Sequence, residues 1–462
     1  MRTTLITAAC LTSAAAAQCV EPDIQRLTAT NPRTSQAFGY DVAISGEWIA
    51  IGSPSDDRYA ENSGSVAMFR RSPNGWYQFQ KLFPPDPAAM QYFGQVVALE
   101  ENTLAASAPS DDEGGTNAGA TYVFTFTDGL WRFRQKLVPS ASLNAQGMGG
   151  VDGLDLEGGR LAAGVYTPTG GTVLLYARGS DGLWSFNTLV EPPSSFNTVD
   201  FGLSVALSGD RMLVGDPSFD DPSGIESSGI AFAYEQVGGV WTPTATFTST
   251  SPTEHGAFGL TLELRDNDAA IGSPATTILG ETGYGTVDLY RRRTDGTWLH
   301  KLVLAPPENE PAIWFGYDIA LGRNELLVGS ADGFYRSAYY YQRTDNVWSY
   351  RGRMTAPPGS NEILYASAVA FDGSTAVVGS PGDSADVRYG GAAFVSDLTT
   401  LPSHTVADFN CDGALNMDDI TAFAQLYQAD DPRADVNFDG LIDPQDLDGL
   451  YLLFLWRHLY GQ

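Results

Sequence analysis

The sequence predicts an all-β fold, a seven-bladed β-propeller closed by its own N-terminal strand, followed by a small α domain with paired calcium loop-helix units. Two observations predict the propeller. A unit of four strand patterns recurs seven times through residues 20–398, and the last copy lacks a fourth strand that a segment ahead of the first copy can supply. A third observation, two aspartate-rich loops within residues 407–462, predicts the small domain.

A Phe-Gly dipeptide opens most of the repeats. The copies are Phe38-Gly39, Phe93-Gly94, Phe201-Gly202, Phe258-Gly259 and Phe315-Gly316, with altered copies at Gly149-Gly150 and Tyr365-Ala366. An alternating strand follows each dipeptide, then a turn, a strand of small residues, an acidic loop, a third strand, and a glycine turn with a tryptophan before the fourth strand. Short antiparallel strands grouped in fours are typical of propeller blades.

The seventh repeat is incomplete, and the N-terminus completes it. The tryptophan of the fourth strand recurs at Trp76, Trp131, Trp184, Trp241, Trp298 and Trp348, but no tryptophan follows the third strand of the last repeat. The segment Gln25-Arg26-Leu27 resembles Gln80-Lys81-Leu82, which lies in the fourth strand of the first repeat. We therefore predict that the N-terminal strand completes the last blade and closes the ring, which removes exposed sheet edges.

Composition and charge exclude one class of partner. The 462 residues include 50 glycines and 26 prolines, which favours many short strands. The formal net charge of −29 would repel nucleic acid, so we exclude it as a partner. The loops after the second strands, such as Ser55-Asp56-Asp57 and Ser110-Asp111-Asp112, lack alternating metal ligands and are interpreted as solvated acidic turns.

The N-terminus has the pattern of a signal peptide, residues 1–17. Arg2 precedes the apolar run Leu5–Ala16, and small residues offer a cleavage site near Ala17. This run is too short to span a bilayer, so we expect no membrane span and a protein that is secreted or attached to the cell surface. Whether Cys19 and Cys411 form a disulfide stays open.

Beyond a linker at residues 399–406, two loops in residues 407–462 carry the oxygen ligands of calcium sites. Gly413 and Gly440 occupy position 6, where a sharp turn is required. The ligands, at positions 1, 3, 5, 7 (through the backbone carbonyl), 9 and 12, are Asp408, Asn410, Asp412, Ala414, Asn416 and Asp419 in the first loop and Asp435, Asn437, Asp439, Leu441, Asp443 and Asp446 in the second. Two matches in register predict two Ca²⁺ ions.

These loops differ from EF-hands. Position 12 is aspartate, and Pro402 and Pro432 disfavour a helix before each loop. A helix is instead predicted after each loop, with Asn416 and Asp443 as N-caps.

Two family resemblances follow from these motifs. The repeats resemble FG-GAP repeats, the blades of integrin α-subunit propellers. Residues 407–462 resemble a type I dockerin, and this resemblance implies calcium-dependent binding to a cohesin-type scaffold domain. In that family, loop positions 10 and 11 select the partner, which points to Met417 and Asp418 in the first loop and Pro444 and Gln445 in the second. Because the two pairs differ, the resemblance does not imply symmetric binding.

The sequence supports two functions. The first is a secreted, non-enzymatic binding or adhesion protein, anchored by the dockerin-like tail, whose propeller binds carbohydrate or a surface protein. The second is a polysaccharide-degrading enzyme, a glycosyl hydrolase or lyase, with the propeller as catalytic module. No catalytic motif is present to favour the second, and His300, placed opposite Gln80 in the repeat, is interpreted as structural.

Overall fold

The computed structural model describes residues 24–196, 198–277, 283–306, 313–332, 336–355, 364–400 and 417–428. One compact unit spans Asp23–Thr400, and the helix Met417–Gln428 belongs to a second unit. The C-terminal calcium loops, the signal peptide and the linker lie outside the described residues, apart from residues 399–400 of the linker and the start of that helix.

The first unit consists of seven four-stranded antiparallel sheets, numbered here as blades 1 to 7. The strands are β1 (Gln25–Leu27); β2 (Val42–Ser45), β3 (Trp48–Ser53), β4 (Ser65–Ser72) and β5 (Gly75–Leu82) in blade 1; β6 (Val97–Glu100), β7 (Thr103–Ala108), β8 (Ala120–Thr127) and β9 (Leu130–Leu137) in blade 2; and β10 (Leu154–Glu157), β11 (Arg160–Thr167), β12 (Gly170–Arg178) and β13 (Trp184–Val190) in blade 3.

The remaining strands follow the same order. They are β14 (Ser204–Ser208), β15 (Arg211–Asp216), β16 (Ile230–Val237) and β17 (Val240–Phe247) in blade 4; β18 (Leu262–Arg265), β19 (Asp268–Ser273), β20 (Thr286–Arg292) and β21 (Trp298–Leu304) in blade 5; β22 (Ile313–Leu321), β23 (Glu325–Asp332), β24 (Ser337–Thr344) and β25 (Val347–Thr355) in blade 6; and β26 (Ala368–Asp372), β27 (Thr375–Ser380) and β28 (Ala392–Asp397) in blade 7.

The predicted closure is confirmed, because β1 is the fourth strand of blade 7. It pairs antiparallel with β28, and Gln25, Arg26 and Leu27 lie opposite Val395, Phe394 and Ala393. The first strands of neighbouring blades pack on one another all round the ring, including β26 against β2. The chain is thus an all-β, seven-bladed propeller across the described part of residues 24–400.

The Phe-Gly dipeptides join each blade to the one before it. Phe93 is fully buried and forms a bridge with Gly64, the residue that precedes β4 of blade 1. Gly64 has a φ of +83°, and a Cβ there would lie 2.1 Å from the Phe93 carbonyl oxygen, so only glycine fits. In blade 3 the buried Met148, followed by Gly149, takes this place, one residue earlier than the predicted copy at Gly149-Gly150.

Apolar clusters fill the interfaces between neighbouring blades. Between blades 1 and 2, for example, Trp48 packs edge-on against Trp131, with ring centroids 5.3 Å apart. Each described fourth strand from blade 1 to blade 6 also contains a β-bulge, in the stretch that faces the next blade. The side chains at and beside the bulge therefore decide how each interface is filled.

The second unit is described by one helix, α1 (Met417–Gln428), in which Phe423 is buried and lies 5.8 Å from the Tyr427 ring between centroids.

Among the described residues, no helix has the length and hydropathy needed to cross a membrane.

Candidate functional site: the groove between blades 4 and 5

The acidic loops of three blades are structural and only partly solvated, contrary to the interpretation from sequence. Asp56, Asp111 and Asp383 are almost completely buried. They form ion pairs with Lys81, Lys136 and Arg26, which occupy one equivalent position on the fourth strands of blades 1, 2 and 7. These carboxylates tie a loop to the outer strand of their own blade and are not available to a ligand.

Asp111 shows how strongly such a carboxylate is held. Its oxygen Oδ2 accepts hydrogen bonds from Tyr122 at 2.8 Å and Gln91 at 2.9 Å, and lies 2.9 Å from Lys136 Nζ. Burial acts to raise the pKa of Asp111, but the hydrogen bonds and the charge of Lys136 outweigh it, so the pKa lies below the ordinary value.

A second group of carboxylates surrounds the ring axis on the first strands. Asp41 accepts hydrogen bonds from the backbone N–H of Val42 at 2.8 Å and, across the blade boundary, of Val97 at 2.6 Å. Asp155 and Asp318 bridge blades 3 to 4 and blades 6 to 7 in the same way, at 2.6 Å each. These side chains join neighbouring blades.

Burial and, for several of them, mutual repulsion raise the pKa values of these axial carboxylates. Burial raises the pKa of Asp41 to about 8, with a further contribution from the charge of Asp318, whose own pKa burial raises to about 7. The pKa of Asp155 is raised to about 6, again chiefly by burial. Asp152 and Glu263 have pKa values well above the ordinary range, because they are buried and face the other acids. Within the described residues, no cluster of histidine, cysteine or acidic side chains has the geometry of a metal site.

An open groove of about 700 Å³ lies between the outer strands of blades 4 and 5. Its lining residues are Glu235, Thr244, Ala245, Thr246, Phe247, Thr248, Tyr290, Arg292, Asp295, Gly296, Thr297, Trp298 and His300. A volume of this size is within the range of ligand-binding clefts.

Compared with blade 1, two positions of β17 that line the groove carry smaller side chains. The bulge residue of blade 1 is Phe79, which packs on Trp48 with ring centroids 5.1 Å apart, whereas the bulge residue of blade 4 is Thr244. The next position is Gln80 in blade 1 and Ala245 in blade 4. Thr244 and Ala245 are smaller than Phe79 and Gln80, so both differences reduce the side-chain volume at the interface between blades 4 and 5.

Glutamine occupies this position in blades 7, 1 and 2, whereas blades 3 to 6 have Thr188, Ala245, Leu302 and Gly352. Gln25, Gln80 and Gln135 each bind the backbone N–H and C=O of the fourth-strand tryptophan of the next blade, at distances of 2.6–3.0 Å. Ala245 has no amide to offer Trp298. The indole of Trp298 is also half-buried, while that of Trp131 is 2% exposed.

Beside the groove, a carboxylate lies where the other six blades have apolar or aromatic residues. Asp288 of β20 is fully buried, at a position that holds Ala67, Tyr122, Leu174, Phe232, Tyr339 or Phe394 elsewhere. Its Oδ1 lies 2.8 Å from Nε2 of His300, and its Oδ2 has no hydrogen-bond partner among the described residues. Burial raises the pKa of Asp288, and the bond to His300 opposes that shift.

Charge at the groove is balanced by one further ion pair. Arg292 lies 2.5 Å from Glu235, and both side chains are 20% exposed. The groove thus combines backbone polar groups, threonine hydroxyls, an aromatic wall and a histidine held by a buried acid, which is an arrangement suited to orienting a ligand.

Sequence analysis did not find this site. His300 was placed opposite Gln80, but β21 pairs Leu304 where β5 pairs Leu82, so His300 corresponds to Gln78. The signal that could have indicated these residues is an alignment of repeats on the fourth-strand tryptophan, in which Ala245 and Asp288 differ from Gln80 and Ala67 of blade 1.

The residues predicted to coordinate calcium lie outside the propeller, within residues 407–462. Eleven of the twelve proposed calcium ligands, all except Asp419, lie outside the described residues, as does the predicted partner-binding residue Pro444. Asp419, Met417 and Asp418 lie in the first turns of α1. Gln445 is again outside the described residues, so the calcium sites and the partner-binding residues stay predictions.

Comparison with known proteins supports the repeat class. Residues 22–69 and 76–124 match the FG-GAP repeat family model. The chain therefore carries FG-GAP repeats within a seven-bladed β-propeller. No curated protein matches the chain.

Solved structures show only general similarity. A protein from Lactobacillus plantarum, a structural genomics target, is 15% identical with a TM-score of 0.44, and the match covers 72% of this chain and 87% of that one. A putative 6-phosphogluconolactonase from Bacteroides uniformis is 11% identical with a TM-score of 0.48, and the match covers 69% of this chain and 85% of that one. Neither bears on function.

Proposed function

We propose that the protein is a secreted, non-enzymatic binding protein. The propeller would hold a carbohydrate or protein ligand in the groove between blades 4 and 5. Residues 407–462 would anchor it, with two Ca²⁺ ions, to a cohesin-type domain. The observation that supports the binding role is the groove itself, at which Thr244 and Ala245 stand in place of the larger Phe79 and Gln80 of blade 1.

Other acidic side chains of the propeller are already engaged in structural contacts, which supports the same proposal. The buried loop aspartates are engaged by Lys81, Lys136 and Arg26, and the axial carboxylates Asp41, Asp155 and Asp318 bind backbone N–H groups of the next blade. Both sets stabilise a rigid ring, and a rigid ring is a suitable scaffold for a binding site.

The variant Thr244→Phe tests the binding role. It restores the aromatic residue that blade 1 carries as Phe79 and should fill the groove. We expect the full-length protein to bind members of a peptide and polysaccharide array, and the variant to lose that binding while its melting temperature is kept. Equal binding by the variant would place the ligand elsewhere.

The polysaccharide-degrading alternative has one supporting observation, the pair of Asp288 and His300 at the groove. A histidine held by a buried carboxylate can accept or donate a proton. Release of new reducing ends from a panel of polysaccharides, lost in His300→Asn, would establish this activity. Its absence would leave the binding role.

A further inference from the structure

The repeat itself shows which chemical group fits the open position. In the interfaces between blades 7 and 1, 1 and 2, and 2 and 3, a glutamine amide nitrogen donates to the tryptophan carbonyl while the amide oxygen accepts from the tryptophan N–H. The two distances are 2.6 and 2.7 Å for Gln25, and 2.7 and 2.8 Å for Gln135. In three interfaces, therefore, a carboxamide binds the backbone N–H and C=O of a tryptophan with the same geometry.

The same two backbone groups belong to Trp298 in blade 5, and the groove lies in front of them. Ala245 takes the place of the glutamine, so no side chain at this position of β17 can bind them. The half-buried indole of Trp298 forms a wall beside the backbone groups, edge-on to Phe247 at 5.5 Å between ring centroids. The backbone N–H and C=O of Trp298 are therefore accessible from the groove.

Only some ligands can reproduce the glutamine contact. A primary carboxamide has a C=O acceptor and an N–H donor on one edge. A trans secondary amide, as in a peptide bond or an N-acetyl group, directs its N–H and C=O to opposite sides. A carboxylate has no donor for the Trp298 carbonyl, and the acid Asp295 in the groove lining disfavours it further.

We propose that the groove between blades 4 and 5 binds a primary carboxamide, the side chain of a glutamine or asparagine in a partner polypeptide. The carboxamide binds the backbone N–H and C=O of Trp298, as Gln80 binds those of Trp131. This inference rests on the proposed binding function and names the ligand class for the same groove.

A polypeptide is favoured because the groove follows the backbone of an edge strand. Five consecutive residues, Thr244–Thr248, line it, and β17 is the outermost strand of its sheet. An edge strand presents unpaired backbone groups along its length, which suits an extended chain that lays down one side chain at the Trp298 position. Asparagine and glutamine are the residues that carry a primary carboxamide.

The test uses the full chain and three small probes: N-acetyl-glutamine N-methylamide and its glutamate and methionine counterparts. Saturation-transfer NMR and competition titrations measure their affinity. We expect the glutamine probe to bind at least about tenfold more tightly than the other two, because only it makes both hydrogen bonds. N-acetylglucosamine serves as the sugar probe.

The variant Ala245→Gln supplies the carboxamide from within the chain. We expect it to weaken binding of the glutamine probe at least about tenfold and to raise the melting temperature, whereas the control Val240→Gln, at an exposed position of β17 outside the groove lining, should keep wild-type affinity. Equal affinity for the three probes, preference for N-acetylglucosamine, or undiminished binding by Ala245→Gln would overturn the inference. If Thr244→Phe still abolishes array binding in any of those cases, the binding function stands and only the carboxamide assignment fails.

Discussion

Arg26 joins the first described strand of the chain to the last blade through its charge. Its guanidinium lies 2.7 Å from Asp383, which is 1% exposed, and 2.9 Å from Asp386. Blades 1 and 2 have the same pair as Asp56 with Lys81 and Asp111 with Lys136. The ion pair therefore repeats around the ring even where it must join residues 357 positions apart.

Replacing Arg26 with methionine should destabilise the propeller, because it leaves the Asp383 carboxylate buried without its cation. Loss of one partner of a buried pair costs about 3–5 kcal/mol, and since Arg26 is 28% exposed we expect roughly 1–3 kcal/mol. Chemical denaturation measures the change. The exposed Arg33 provides the control Arg33→Met, and an Arg26→Met variant as stable as this control would contradict the assigned role.

The axial acids predict a dependence of stability on pH. The pKa of Asp152 is raised well above its ordinary value, chiefly by burial and then by Asp318, Asp41, Glu263 and Asp155. The folded state therefore keeps a proton that the unfolded chain releases near pH 4. The contribution of Asp152 is thus most favourable below about pH 4 and is lost as pH rises towards the folded pKa.

Asp152→Asn removes this titration, and within the described residues the carboxylate makes no side-chain hydrogen bond that the change would break. We expect the melting temperature of the variant to equal that of the wild type at pH 4 and to exceed it by roughly 1–3 °C at pH 8. Calorimetry across this range measures the difference. The exposed Glu226→Gln is the control, and a difference that does not vary with pH would argue against a raised pKa.

At the level of elements, β1 is short but completes a sheet. Leu27 is buried in the cluster between blades 7 and 1, and Gln25 binds the backbone of Trp76 in blade 1. The strand therefore contacts both blades at the seam of the ring, and its removal would expose the edge of β28.

Truncation to a chain that begins at Thr34 should unfold or aggregate the propeller, because an open ring exposes both β28 and the apolar seam. Thermal unfolding and size-exclusion chromatography measure the effect. A chain that begins at Asp23 and keeps β1 is the matched control. If the shorter chain melts at the same temperature as the control, the seam does not depend on β1.

The fourth strands show how an element can be recognised while its side chains are misplaced. β5 and β21 carry their bulge at the same place, between Gln80 and Gln78 and between Leu302 and His300, so the bulge does not explain the error. Matching His300-Lys301-Leu302 to Gln80-Lys81-Leu82 by letter displaces His300 by two positions, whereas counting from Trp76 and Trp298 places it opposite Gln78. The groove between blades 4 and 5 additionally depends on the packing of two blades, which no alignment of repeats contains.

For the whole molecule, the proposed anchoring depends on calcium. Each predicted loop gathers several carboxylates, and their repulsion without a cation disfavours the folded tail. We expect the full chain to bind two Ca²⁺ ions, and the variant with Asp412→Ala and Asp439→Ala to bind none and to lose capture by a cohesin-type domain. Isothermal titration calorimetry and a binding assay with and without chelator measure both effects.

The residues 23–400 expressed alone provide the control for this titration. Calcium uptake by the double variant equal to that of the wild type, or cohesin binding that persists in chelator, would show that the loops are acidic turns and that the dockerin resemblance does not extend to function. Either result would leave the groove and its test unaffected.

The sequence by itself determined the number of blades, their strand order and the closure of the ring by Gln25–Leu27, because strand alternation and glycine turns are local signals repeated seven times. Tertiary structure decided which acids are buried, since Asp56 is buried and paired with Lys81 whereas its neighbour Asp57 in the same acidic loop is exposed. It also decided the groove. The side chain of Ala245 is too short to reach the backbone of Trp298 in the next blade, and no local pattern encodes the distance between these two residues. Burial and contact across blades depend on residues about fifty positions apart, and only the folded ring brings them together.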